Sequence, residues 1–109
     1  MKGKTKADFE NWYYTEYEFN EGHPEYMPLN IFYKKSNAMK WGVYVDYYDS
    51  VEIYIEITTI ATIEERYFDL TIEYEETCLP IEVFEFKTRH EARTEAEEKA
   101  CEIRNKQLV

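Results

Sequence analysis

Glycine and proline are scarce, three of each in 109 residues, which excludes a glycine-rich phosphate loop and a long flexible linker. Cysteine is limited to Cys78 and Cys101, which form no CxxC and have no nearby histidine to complete a zinc pattern. They read as two reduced thiols. No apolar run approaches the ~20 residues of a membrane span. The basic start, Met1–Lys6, lacks the apolar stretch of a signal peptide, so the expected location is the cytoplasm. Positive charge is also short: 13 Lys and Arg stand against 23 Asp and Glu, for a net charge of −10. The deficit is concentrated in residues 7–86, with 18 acids and 4 bases. Such a chain is repelled by phosphate backbones, whose binding depends on neutralising cations. Direct nucleic-acid binding is excluded on that ground, and a basic partner is the natural complement.

What the chain has in excess is aromatic surface. Eleven Tyr, six Phe and two Trp make up 17% of it, and 44% of the residues are hydrophobic, enough for one globular core. The expectation is a single globular domain over 1–109, of which residues 1–5 are a disordered basic tail.

Thr5 followed by Asp8 supplies an N-cap hydroxyl and a first-turn acid ahead of Phe9, Trp12, Tyr13 and Tyr17, predicting a helix over 6–16. Residues 18–28 carry Asn20, Gly22, His23, Pro24 and Pro28, the chemistry of a loop. Leu29–Tyr33 fits either a short strand or a helical turn. From Trp41 the period becomes two. Trp41, Val43, Val45 and Tyr47 alternate with Tyr44, Asp46 and Tyr48. After Asp49-Ser50, read as a hairpin turn or a bulge, Val51, Ile53, Ile55 and Ile57 alternate with Glu52, Tyr54, Glu56 and Thr58. A further strand places Phe68, Leu70, Ile72 and Tyr74 inward and Asp69, Thr71, Glu73 and Glu75 outward. Ile81–Lys87 is less regular, because Phe84 and Phe86 oppose Ile81 and Val83, as in a strand contacted on both faces. Thr88 and Glu91 form a capping box for a last helix, with Ala92, Ala96, Ala100 and Ile103 along a narrow apolar face. The predicted class is α+β: an antiparallel sheet of three to four strands, flanked by an N-terminal and a C-terminal helix packed on one face.

Catalytic chemistry is not evident. His23 and His90 have no Ser, Cys or second His placed by sequence to join them. The paired acids Glu64-Glu65, Glu75-Glu76 and Glu97-Glu98 lack the glycine turn and alternating oxygen ligands of a calcium loop. No catalytic residue, metal ligand or cofactor is assigned, and the reading is of a non-enzyme.

The feature that stands out is the outward face of the predicted sheet. It gathers Tyr44, Asp46, Tyr48, Glu52, Tyr54, Glu56, Asp69, Glu73 and Glu75, carboxylates interleaved with phenols. Tyr favours interfaces because it offers large area at low entropy cost with a polar tip. A merely soluble face needs no Tyr. The expected partner-binding residues are Tyr44, Tyr48, Glu52, Tyr54, Glu56, Asp69 and Glu73.

Two segments, KWGVYVDYYDSVEIYIEI over 40–57 and TRHEARTEAEEKACEIRN over 88–105, resemble small proteins encoded by phages and prophages of Bacteroidetes-type hosts. The likeness covers about a third of the chain. Glu52 stands where such proteins often have Gly. The resemblance implies a phage origin and a bacterial host cytoplasm, and it carries over no catalytic residue. Together with the acidity it leads to an expected role as an anti-defence inhibitor, anti-CRISPR-like in type. Such a protein would bind a basic nucleic-acid-handling host protein, a nuclease or CRISPR effector, and block its nucleic-acid site. The alternative is a non-enzymatic phage accessory or assembly protein acting as a homodimer.

Overall fold

The computed structural model describes residues 1–18 and 27–109, with the backbone alone at 17, 18 and 77–84. The fold is α+β. Helix α1 (Gly3–Trp12) runs into a π-helical turn (Tyr13–Glu18). The short α2 (Leu29–Phe32) resolves the ambiguous Leu29–Tyr33 segment as helical. Helix α3 (Asn37–Ser50) is followed by strands β1 (Ile53–Ala61), β2 (Arg66–Tyr74) and β3 (Thr77–Phe86), and helix α4 (Arg89–Gln107) closes the described chain.

The strands form one antiparallel meander in the order β1-β2-β3. Ile53, Ile55 and Ile57 oppose Tyr74, Ile72 and Leu70 across β1 and β2, so the predicted inward residues share one face. Helices α3 and α4 pack on that face. Ala92, Ala96 and Ala100 are fully buried, as the narrow apolar stripe predicted, and the Thr88 hydroxyl accepts from the Glu91 N–H at 3.1 Å. Small side chains let α4 lie close to the sheet. In β3 the register slips: Leu70 opposes Ile81 but Phe68 opposes Phe86, where the unbroken register would bring residue 83. That irregularity accounts for the broken alternation of Ile81–Lys87. Phe86 reaches the core, and the side chains of Ile81, Val83 and Phe84 lie outside the described residues.

Three expectations are corrected. Residues 41–48 are not a strand but the middle of α3, capped by Ser36, whose side chain accepts from the Met39 N–H at 3.3 Å. Asp49-Ser50 is therefore neither hairpin nor bulge but the end of that helix. The chain leaves it through Glu52 at φ +61°, with the Glu52 N–H bonded to the Asp49 carbonyl. Thr5 is not an N-cap either. It is fully buried inside α1, its hydroxyl 2.7 Å from Asn105 Oδ1 and 3.2 Å from the Cys101 carbonyl.

The basic start is accordingly no free tail. Asn105, in the last turns of α4, accepts the Thr5 N–H at 2.8 Å and so caps α1 from another element. Gly3 sits at φ +63° against that carboxamide; a Cβ there would come within 3.1 Å of Asn105 Oδ1.

At the β2–β3 hairpin both central residues, Glu75 and Glu76, have positive φ (49° and 61°), the requirement of a type I′ turn that Asn-Gly meets without strain. Glu52→Gly and Glu76→Gly are each expected to stabilise the fold by about 0.5–1 kcal/mol, relief of left-handed strain outweighing glycine's added chain entropy. Asn105→Ala is expected to cost about 1–2 kcal/mol through the lost cap. Urea midpoints at unchanged slope would report all three.

Candidate functional site

The helices cover one face of the sheet, and among the described residues no helix is placed on the other face of β1 and β2. Residues facing outward on β1 are Tyr54, Glu56, Thr58 and Ile60; opposite them on β2 stand Glu73, Thr71, Asp69 and Tyr67. Tyr54 is 49% exposed, and Glu56, Asp69 and Glu73 are exposed beside it. Glu56 pairs directly with Thr71, which leaves Asp69 and Glu73 on its two diagonals, ~7–8 Å away across the pair. That spacing avoids directly opposed like charges while concentrating one sign of field. None of these eight outward positions carries a base.

The structure brings together Tyr54, Glu56, Asp69 and Glu73 from the predicted set. Glu52 lies beside them at the turn that enters β1, not on the sheet face. Tyr44 and Tyr48 belong elsewhere, since both lie on α3. Tyr48 is fully buried, and its hydroxyl donates to Glu97 Oε1 at 3.2 Å. Tyr44 is half-buried, its ring edge-on to Phe9 and Phe32. Asp46 is exposed on α3, and Glu75 sits in the hairpin, where its carboxylate accepts from Gln107 Nε2 at 3.2 Å. Ile60 and Tyr67 extend the outward face at its far end. The strand alternation itself points to them, one at four residues past Glu56 and the other at two before Asp69.

The other aromatics build the interior. Phe9, Tyr13, Phe32, Tyr47 and Tyr48 are all at 1% exposure or less. Their rings meet at centroid distances of 5.2–6.0 Å, mostly tilted or edge-on, the arrangement aromatic quadrupoles prefer. Each buried phenol finds an acceptor: Tyr47 donates to Asp8 Oδ2 at 2.6 Å, Tyr33 to Glu10 Oε1 at 3.0 Å, and Tyr13 to the Met27 carbonyl. Arg104 completes the Tyr47 contact, its guanidinium 3.0 Å from Asp8 Oδ2. Burial, reinforced by the nearby carboxylates, raises the pKa of Tyr33, Tyr47 and Tyr48 well above the ordinary phenol value and pushes Tyr44 up to about 12.

Cys101 is a free, buried thiol against the start of α1, where Lys2 N–H approaches its sulfur at 3.4 Å. The Cys78 side chain and His23 lie outside the described residues, and His90 is exposed on the first turn of α4. Among the described residues no three His, Cys, Asp or Glu side chains are grouped to hold a metal ion, and no helix is long and apolar enough to cross a membrane. Comparison with protein-family models, curated proteins and solved structures returns no match.

The tyrosines make the fold sensitive to alkali. Unfolded phenols ionise near pH 10. In the folded state the raised values keep them protonated, so their contribution is intact below pH 10 and is lost as pH rises beyond it. Stability should fall above pH 10 by up to ~1.4 kcal/mol per pH unit for each such tyrosine. The tyrosinate absorbance contributed by Tyr44, Tyr47 and Tyr48, isolated by difference against their Phe variants, should then appear together with loss of helical circular dichroism, instead of preceding it.

Proposed function

We propose that the chain is a non-enzymatic binding protein that docks the outer face of its sheet on a basic protein and thereby occludes that partner's nucleic-acid site. The observation that carries this reading is the outward face itself. Tyr54, Glu56, Asp69 and Glu73 stand exposed on β1 and β2, away from the helices, with no base among the outward residues. Acids of one sign on a twisted, rigid sheet attract a basic groove over roughly a Debye length, ~8 Å at physiological salt. Tyr54 then supplies the anchor that electrostatics alone lacks, a ring with a polar tip directly opposite Glu73. A groove built to grip phosphates offers Lys and Arg at matching reach, and a surface that fills it excludes nucleic acid without any reaction. The setting we propose is that of a phage anti-defence protein acting on a host nuclease or CRISPR effector, the phage origin being what the resemblance of residues 40–57 and 88–105 implies.

The test is capture of basic nucleic-acid-handling proteins from host lysate on the immobilised protein, followed by competition between the soluble protein and the captured partner's nucleic acid. The wild-type protein should displace nucleic acid at low salt and lose its grip as salt rises. The triple reversal Glu56→Lys, Asp69→Lys, Glu73→Lys should bind at least about tenfold more weakly, because charge pairs at an interface dominate encounter and register. Unchanged binding by the triple reversal would overturn the assignment of this face. Capture of nothing but further copies of the chain would replace it with a homo-oligomeric accessory role.

A further inference from the structure

A second site lies on the opposite side of the molecule, among the helices. A cleft of about 260 Å³ opens between the first half of α3 and the first half of α4, where Lys40, Trp41, Tyr44, Arg93, Glu97 and Glu98 are among its lining residues. Its charge is anomalous for this protein. With 23 acids for 13 bases, a cation here has acids to spare as partners. Yet among the described residues neither Lys40 nor Arg93 lies within ion-pair distance of a carboxylate. Arg93 Nε is moreover buried with no hydrogen-bond partner among the described residues. A buried N–H left unpaired costs about 1–3 kcal/mol, more on a charged group, and calls for an explanation. Two carboxylates line the cleft: Glu98 is beyond ion-pair distance of either cation, and Glu97 is already engaged. Glu97 accepts from the Tyr48 hydroxyl and lies 3.5 Å from the amino group of Met1.

We infer that this cleft binds a small planar organic anion, one aromatic or heteroaromatic ring bearing a carboxylate or phosphate. The guanidinium of Arg93 presents a planar fork that suits either oxyanion, and Lys40 adds a second, mobile donor. Trp41 and Tyr44, both half-buried, supply apolar wall for the ring. The positive end of the α3 dipole, at Asn37, lies on the same rim. Volume limits the ligand's size: the cleft falls just short of the ~300 Å³ at which ligand sites usually begin, room for one ring and one charged group.

The experiment is calorimetric titration of the full chain with benzoate, phenyl phosphate, the neutral analogue benzyl alcohol and inorganic phosphate. One aromatic anion should bind at one site per chain with Kd below about 10 mM, and benzyl alcohol at least about tenfold more weakly. Arg93→Gln and, separately, Lys40→Gln should each weaken that anion by at least about tenfold, the worth of one charge-assisted hydrogen bond, while far-UV circular dichroism shows both variants folded as the wild type. The Glu56, Asp69, Glu73 triple reversal should bind it as the wild-type protein does, which separates this site from the sheet face. Absence of saturable binding by both aromatic anions, or affinity unchanged in both single variants, would overturn the site. Saturable binding of inorganic phosphate equal to that of phenyl phosphate would overturn the role of the ring.

Discussion

The phenol of Tyr47, buried from solvent and shared between Asp8 and Arg104, is the contact on which the helical half depends. It brings α1, α3 and α4 to one point. A buried hydroxyl without a partner would destabilise the core, and a carboxylate drawn partly out of water, as half-buried Asp8 is, needs a partner of its own. Here each answers the other: Asp8 accepts from the phenol at 2.6 Å, and Arg104 neutralises Asp8 at 3.0 Å. Burial lowers the affinity of Arg104 for its proton, but the bonds to Tyr47 and Asp8 outweigh it and the net shift is upward. The same logic recurs at Tyr48 with Glu97 and at Tyr33 with Glu10. An aromatic core rich in tyrosine thus needs acids within it.

That need divides the carboxylates into two populations. Asp8, Glu10 and Glu97 serve as acceptors for buried or half-buried phenols. The acids of β1 and β2 have no such duty: among the described residues none of Glu56, Asp69 and Glu73 accepts from a phenol. One sheet therefore separates a hydrogen-bonded aromatic interior from a surface with a single sign of charge. Tyrosine appears on both sides for different reasons: within, as a core ring that also donates; outside, at Tyr54, as an exposed amphipathic side chain.

Where residue period and local chemistry agree, the chain could be read directly. The capping box at Thr88 and Glu91, the alanine stripe of α4 and the alternation of β1 and β2 all match. The strand expected over 41–48 did not form, and the reason is specific. Trp41, Val43, Val45 and Tyr47 fit period two, yet Val43 with Tyr47, and Tyr44 with Tyr48, also stand four apart on one side of a helix. β-Branched and aromatic residues tilt such a tie toward strand, and tertiary burial of the two tyrosine rows reversed it. The deciding local signal was Ser36, an N-cap one residue before the helix. Thr5 misled in the opposite sense, since its cap function is taken by Asn105, exactly 100 residues away and invisible to local spacing. Two of the three tyrosines of the predicted face, Tyr44 and Tyr48, moved inward with α3, and the part carried by β1 and β2 stayed because its alternation had no helical competitor.

The two margins of the sheet differ in how they meet another chain. An open strand edge is a template for strand addition and so for aggregation. Along β3 the slipped register between Leu70 and Phe68 breaks the regular row of backbone donors and acceptors. β1 has no such break over its nine residues, Ile53–Ala61. Its protection is electrostatic: Glu56 on the strand, and Glu52 at its entrance, would face their own kind in any stack of identical edges. Protection of that sort is conditional on solvent, since salt at molar strength shortens the screening distance to ~3 Å. Resistance to strand addition would therefore depend on ionic strength along one margin and on backbone geometry along the other.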